Sequence, residues 1–355
     1  MLTRFGFTKS GLIAAIAAAG AMTASVAQAQ TWRFALEEID GSIQDVYAEA
    51  FKTRIEERSG GEITVDIYPY GSLGTSSQLT ELVQQDAVQF AFASPGHLAS
   101  MIPEVGVFTL HFLLSDDNRI NEQVLGNSEA IPLLQEAYRE QNLQLLGIIP
   151  EGWMAWTADR AIETPADMES LKIHTRALPI LAESYRAYGA DPTPMPYSEV
   201  YSGLQLEQID AQVNPTFTIE EMRFYEVQEY LIYAKQAQFI STLVANDTFY
   251  EGLSEERQAM VDEVTDSLRS YIFAQQAEIN EKRLDIIKEN SDIEIVTLTD
   301  EQRQMFREKS LPVRETFIER AGERGKKILE TLDTQLRAAE EAKEDGSQGG
   351  DSDSA

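Results

Sequence analysis

The chain is 355 residues long, with 29 Lys and Arg against 59 Asp and Glu, three His, no Cys and 43% apolar residues. Such a composition can bury a large core, and at roughly 100–200 residues per domain the length predicts two domains. The absence of Cys excludes disulfide scaffolds, thiolate metal sites and cysteine nucleophiles, and the net charge of −30 disfavours nucleic acid and anionic membrane surfaces as partners.

Arg4 and Lys9 precede a small-residue apolar stretch over 11–26, and Ala27-Gln28-Ala29 forms an A-x-A site before Gln30. Residues 1–29 therefore read as a cleaved secretory signal peptide. Its removal makes the chain more acidic by two further charges, since it carries two basic and no acidic residues. No other segment is apolar for long enough to span a bilayer. Residues 32–36 predict a strand, and a helix follows from Ile43 with Val46, Tyr47, Ala50, Phe51 and Ile55 on one face, stopped by Gly60-Gly61. Residues 63–68 alternate with period two; Thr75 or Ser76 caps a helix carrying Leu79, Leu82 and Val83; the apolar run 88–93 closes the set. This strand–helix alternation predicts an α/β fold with a largely parallel sheet.

A second set of units begins with a helix around 131–138 and a strand at 143–149. Thr164-Pro165-Ala166-Asp167 reads as a helix start, 171–175 as a strand, and 178–188 as a helix ending at Gly189. The Pro-rich 191–196 is expected to cross over, Ser198 to cap a helix over 199–206, and 209–213 to form a strand. Residues 239–245 predict a strand returning to the first domain. Ser254 starts a long helix with Met260, Val261, Val264, Leu268, Tyr271 and Ile272, which either bridges the domains or lies on one of them. Thr299 with Gln302 forms a capping box for a last helical region. The expected plan is a discontinuous first domain, 30–149 plus about 240–337, and a second domain, 150–239. The acidic, Gly/Ser-rich tail at 338–355 is expected to be disordered.

Catalytic signals are weak. His97, His111 and His174 lie in separate segments without paired metal-ligand spacing, no G-x-S-x-G elbow occurs, and Gly71-Ser72-Leu73-Gly74 lacks the phosphate-loop pattern. No enzyme, metal or cofactor is indicated. Binding has more support, because α/β folds gather ligands beyond the carboxyl ends of their strands. Glu37 and Glu38 follow the first strand, Ser94-Pro95-Gly96-His97 the third, and Gly152-Trp153-Met154 the one that opens the second domain. His174 and Arg176 close another strand, and Asn214-Pro215-Thr216-Phe217 follows Val213. Each alone reads as an ordinary loop residue or an aromatic lid over core. Converging on one cleft, they read as a binding site.

Several stretches carry a resemblance to a known family. They are Val65-Asp66-Ile67-Tyr68-Pro69 with Gly71-Ser72-Leu73-Gly74, Leu171-Lys172-Ile173, and residues 189–196 leading into Ser198-Glu199-Val200-Tyr201. The pattern continues through Gly203-Leu204-Gln205, Ile209-Asp210, Asn214-Pro215 and Tyr225-Glu226-Val227. The chain resembles the DctP-type periplasmic solute-binding proteins of tripartite ATP-independent periplasmic (TRAP) transporters over about residues 32–264. The resemblance implies a two-domain periplasmic binding protein with hinge strands, a central cleft and a long bridging helix. It also implies capture of a small organic solute for the small and large membrane subunits of a sodium-coupled transporter, without a cofactor.

Departures from the family pattern bear on the solute. His174 stands where members usually carry a carboxylate-clamping Arg, and Met154 where many acid-binding members have another; the Asn partner is kept as Asn214. Arg176 shares a face with His174 if the strand continues, and then takes over the clamp; if the strand has ended, it points to solvent. The opening Trp32-Arg33-Phe34-Ala35-Leu36-Glu37-Glu38, with Gln44-Asp45-Val46 and Pro150-Glu151-Gly152, most resembles the ectoine-binding subset. A zwitterionic compatible solute would meet Glu38 and aromatic faces on one side and Arg176 or His174 on the other. Tyr197 in place of an expected Trp, and His97 in place of a Phe, make the cleft more polar and leave a hydroxylated or carboxylated relative equally open. The candidate ligand-binding residues are Glu38, His97, Trp153, Met154, His174, Arg176, Tyr197, Asn214 and Phe217. A solute sensor of the same fold, or a secreted hydrolase, are the alternatives.

Overall fold

The computed structural model describes residues 30–176 and 178–349. The expected signal peptide and residues 350–355 lie outside the described residues. The strands are β1 (Gln30–Ala35), β2 (Ile63–Tyr68), β3 (Phe90–Ala93), β4 (Leu143–Ala158), β5 (Lys172–Thr175), β6 (Asp191–Pro194), β7 (Ala211–Pro215), β8 (Tyr230–Tyr233), β9 (Gln238–Asn246) and β10 (Glu294–Thr297). They follow the order β2-β1-β3-β9-β4-β7-β5-β6, with β8 pairing both β4 and β10 off this path. The helices are α1 (Ile43–Arg58), α2 (Ser76–Gln84), α3 (Pro95–Leu98), α4 (Asn118–Asn127), α5 (Ile131–Arg139), α6 (Pro179–Ala187), α7 (Val200–Gln205), α8 (Thr216–Glu221), α9 (Asp247–Gly252), α10 (Glu255–Asn290), α11 (Asp300–Ser310) and α12 (Val313–Gly349).

The first lobe is built as local chemistry dictates. The Ser42 side chain accepts the Asp45 N–H at the start of α1, and Thr75 with Gln78 completes a reciprocal box at the start of α2. β1 pairs in parallel with β2 and β3, and Phe34, Phe51, Phe90, Phe92 and Trp32 pack with ring centroids 5.2 to 5.4 Å apart in tilted or edge contacts. Such pairs add about 0.5–1.5 kcal/mol each beyond their buried area. The buried face of α1 is rotated from expectation: Gln44 and Ala48 are buried, whereas Val46 and Ala50 are half-buried. The polar Gln44 is drawn inward by partners that lie far off in sequence.

Other expectations need correction. The sheet is mixed, because β9 runs antiparallel to β3 and β4, and β4 antiparallel to β7 and β8. Residues 165–168 form a single 3₁₀ turn, although Thr164 and Asp167 make the expected box. Residues 191–194 form the edge strand β6 instead of a crossover, and an edge tolerates Pro192 and Pro194 because it lacks an outer partner. Ser198 lies inside a 3₁₀ turn ahead of α7 and does not cap it. The tail expected to be disordered continues α12 as far as Gly349, with one break at Gly322, where φ is +66°. Ala, Glu and Lys are strong helix formers whatever their net charge, and Lys343 Nζ lies 2.8 Å from Asp117 Oδ2.

Two features join the lobes. α10, about 54 Å long at 1.5 Å per residue, packs its Val261, Val264, Leu268 and Ile272 into the first lobe's core and its Ile287 into the second's. β4 pairs with β9 up to Trp153 and with β7 from Met154 on. Its register shifts between Pro150 and Gly152, so Glu151 is the extra residue of a bulge. Asn280 of α10 locks that point: its Nδ2 donates to the Glu151 carbonyl at 2.8 Å, and its Oδ1 accepts the Phe217 N–H of α8 at 3.1 Å.

Gly152 has φ +135°, and a Cβ there would sit 2.5 Å from Asn280 Nδ2. Gly152→Ala should therefore cost about 2–4 kcal/mol in urea unfolding. Gly60→Ala, also at positive φ but in open space, should cost only about 1–2 kcal/mol. Equal costs would show that the contact with Asn280 carries no weight.

Candidate functional site

The bulge aims Glu151 into the interior, where the residue has no exposed surface. Its Oε1 accepts from Gln44 Nε2 at 3.0 Å, and Ser241 also donates to the carboxyl. Gln44 Nε2 reaches Ser241 Oγ as well, at 3.1 Å, while its Oε1 accepts the Glu37 N–H at 2.8 Å. That pair of contacts fixes which end of the amide faces Glu151. Gln44 thus ties the turn after β1 to the bulge of β4 and to β9.

Glu37 and Glu38, both half-buried, lie beside Glu151. Glu37 Oε2 accepts the Ser94 N–H at 2.8 Å. Loss of hydration pushes the Glu37 carboxyl up to about 7 against the counteracting charge of Arg176 and the Ser94 hydrogen bonds. Glu38 is pushed well above the usual carboxylate range, first by burial and then by Glu151, with Glu221 and Glu37 adding to the effect. Glu151 is raised by burial, against hydrogen bonds from Glu38, Ser241 and Gln44. One oxygen of each acid, Glu37 Oε1, Glu38 Oε2 and Glu151 Oε2, is enclosed and, the contact between Glu38 and Glu151 aside, has no hydrogen-bond partner among the described residues.

Arg176 provides the opposing charge. It follows β5, and its guanidinium lies 4.4 Å from the Phe239 ring centroid, while its Cδ lies 3.1 Å from where a Cβ on Gly96 would sit. It makes no hydrogen bond or ion pair through the guanidinium among the described residues, yet its charge is felt at Glu37, Glu151, His174, His97 and Tyr197. Beside it a cavity of about 40 Å³ is lined by Pro95, Gly96, Met154, Val213 and Phe239, among others, room for about three or four waters at the ~10–15 Å³ each needs.

The remaining candidates divide. Tyr197 is 37% exposed; its phenol bonds to Thr218 and is held above its usual range by lost hydration, then by Glu221 and Glu38. It therefore faces the acids across the cleft. His97 is exposed on α3 near Arg176. His174 is enclosed, and its Nε2–H donates to the Met195 carbonyl at 3.2 Å while Nδ1 has no partner. Burial holds its imidazole down to about 4, so it is neutral near pH 7 and offers no cation. Asn214 spends its Nδ2 on Gln212 Oε1 at 2.7 Å in a buried chain that runs on through Thr157 and Gln228. Phe217 packs into the apolar cluster of the first lobe. Trp153 is half-buried, with the Lys235 ammonium 5.9 Å from its ring centroid.

A family model for bacterial extracellular solute-binding proteins, family 7 (DctP), matches residues 34–321. The chain belongs to this family. It is 39% identical over 322 residues to the ectoine-binding periplasmic protein TeaA of Halomonas elongata, covering 90% of this chain and 94% of that one. It is also 39% identical over 330 residues to the ectoine/5-hydroxyectoine-binding periplasmic protein UehA of Ruegeria pomeroyi, covering 91% and 96%. The apo open crystal structure of a TRAP periplasmic solute-binding protein from Marinobacter aquaeolei superposes with a TM-score of 0.83 at 45% identity, covering 85% of this chain and 99% of that one. The family 7 fold is accordingly that of a two-domain periplasmic binding protein.

Within this family 7 protein, sequence reasoning singled out Glu38 and Arg176 but missed what surrounds them. Glu151, Gln44, Phe239, Glu221 and Asn280 were not weighed as site residues. A signal existed for two of them: Glu151 is a lone acid in an apolar strand beside a glycine, and Gln44 sits on the apolar stripe of α1. Among the described residues no group of three or more His, Cys, Asp or Glu could hold a metal ion.

A carboxyl raised in the folded state favours folding while protonated and loses that advantage as pH rises through its folded value. The Glu37 contribution is therefore full below about 4.5 and gone above about 7. Glu37→Gln should become more stable relative to wild type between pH 5 and pH 8, by about 2 kcal/mol in the ligand-free protein. A difference independent of pH in thermal unfolding would place the Glu37 titration elsewhere.

Proposed function

We propose that the protein is the periplasmic solute-binding subunit of a TRAP transporter. Its solute carries a carboxylate and a delocalised cation, with ectoine and 5-hydroxyectoine, the compounds its relatives are named for, as the first members to test. The observation that carries this reading is the separation of charge in the cleft: the Arg176 guanidinium, without a hydrogen bond or ion pair among the described residues, acts on carboxyls with unmatched oxygens, Glu37 and Glu38 with the fully buried Glu151 behind them. The stacked, planar guanidinium can take a carboxylate through two parallel hydrogen bonds. The acids suit a donor-rich cation, and the Tyr197 phenol feels the charge of both Glu38 and Arg176.

A dicarboxylate fits less well, because its second anion would lie against Glu38 with neutral His174 giving no compensation. The groups near the cleft also favour release of the solute unchanged. His111 Nδ1 is engaged with the hydroxyl of Tyr188 at 2.6 Å, a phenol that burial holds protonated, and His174 with a carbonyl. Closing the lobes strengthens the charge contacts by removing water, and reopening at the membrane subunits releases the solute.

Calorimetry and thermal shift with ectoine, 5-hydroxyectoine, succinate and galactonate test the reading. Ectoine at about 100 times its dissociation constant should add about 2.7 kcal/mol of stability, roughly 5 °C in Tm. Arg176→Gln should weaken its binding roughly 10- to 100-fold. Tighter binding of succinate than of ectoine, or conversion of ectoine to a product seen by NMR, would overturn the proposal.

A further inference from the structure

We propose that Glu38 and Glu151 hold one proton between them in the empty cleft, and that the cationic group of an arriving solute displaces it. The site of the proton rests on the contact between the two carboxyls and on the donors placed around them; its displacement rests on the zwitterion reading above. The two carboxyls are within hydrogen-bond reach of one another. The Oε2 atom of each is enclosed and has no donor from the rest of the protein. Two ionised carboxylates would repel at that separation, so the contact requires a proton.

The neighbours narrow where that proton lies. Gln44 cannot turn its oxygen toward Glu151, because that oxygen already accepts the Glu37 N–H. Its Nε2 therefore donates to Glu151 Oε1, which must act as an acceptor. The bridging proton then sits at the Oε2 side, between Glu151 and Glu38. The charged and titratable groups facing the pair are Glu37 from the same turn, Glu221 from α8, Tyr197 from the turn before α7, and Arg176 after β5. Glu37 and Glu221 strengthen the hold on the proton, and Arg176 weakens it without forming an ion pair to either acid.

When a cation with several N–H donors enters, it supplies the positive charge and the hydrogen bonds that the proton had supplied. Glu38 turns from Glu151 toward the cation, Glu38 Oε2 and Glu37 Oε1 gain donors, Glu151 keeps those of Gln44 and Ser241, and the proton leaves to solvent. Affinity should then rise with pH, up to tenfold per unit while the empty pair keeps its proton, and level off beyond. Glu151 would act as a positioning residue that sets the charge of Glu38 without touching the solute.

Infrared spectroscopy of the ligand-free protein at pH 7 decides the first half. Wild type should show a protonated-carboxyl band that survives in part in Glu37→Gln and is lost or reduced in both Glu38→Gln and Glu151→Gln. Calorimetry with ectoine in buffers of different ionisation enthalpy decides the second. Wild type should release about one proton per solute bound more than Glu151→Gln does, and the release left in Glu151→Gln should be the part that Glu37 gives up. A wild-type spectrum without the band, a band unchanged in both pair variants, or ectoine binding that releases no more from wild type than from Glu151→Gln would overturn the proposal. Failure of ectoine to bind wild type would defeat the zwitterion reading and the displacement together, while the infrared result would still decide where the proton sits.

Discussion

A strand that joins the two halves of one sheet has to change partners part-way, and here β4 passes from β9 to β7 and β8 within a few residues. The β4–β9 ladder shifts register twice, between Leu145 and Gly147 and again between Pro150 and Gly152 just before the change of partner, and the extra residue at the second shift is Glu151. A bulge re-aims its side chain, and in this case it drives a carboxyl into a space without water. A buried acid must be matched by donors or hold a proton. Gln44, Ser241 and Glu38 are its answer, and they come from α1, β9 and the turn after β1. Hinge geometry and cleft electrostatics are therefore one construction, pinned from the other side by Asn280 of the bridging helix.

The same construction explains why charge within the cleft is divided unevenly. Four acids, Glu37, Glu38, Glu151 and Glu221, gather where hydration is poor, and Arg176 faces them without being consumed by any of them. The overall charge of −30 makes the surroundings favourable to cations and unfavourable to anions. Within those surroundings the Arg176 guanidinium is a local positive charge, held 4.4 Å from the centroid of the Phe239 ring. Neutral His174 adds no positive charge beside it.

Much of the fold was legible residue by residue. The β2 strand, the caps at Thr75, Ser254 and Thr299, and the start of α1 at Ile43 coincide with their expected positions. The misreadings share a cause. Residues 191–194 looked too rich in Pro for a strand, yet the edge of a sheet accepts them; the acidic tail looked too charged to fold, yet its composition favours a helix that can rest on Asp117. In both, the neighbour that decides the outcome lies outside the segment being read.

The division between sequence and tertiary structure follows the range of the forces involved. Caps, alternation and helix starts depend on groups within one turn or strand, so the sequence by itself determined them, together with the strand-end positions of Glu38 and Arg176. Hydration and charge pairing depend on whatever folding brings near. Gln44 meets Glu151 across 107 positions and Ser241 across 197. Only the assembled structure could decide that Glu151 is stripped of water, that His174 is neutral, and that the Arg176 guanidinium has no hydrogen bond or ion pair among the described residues.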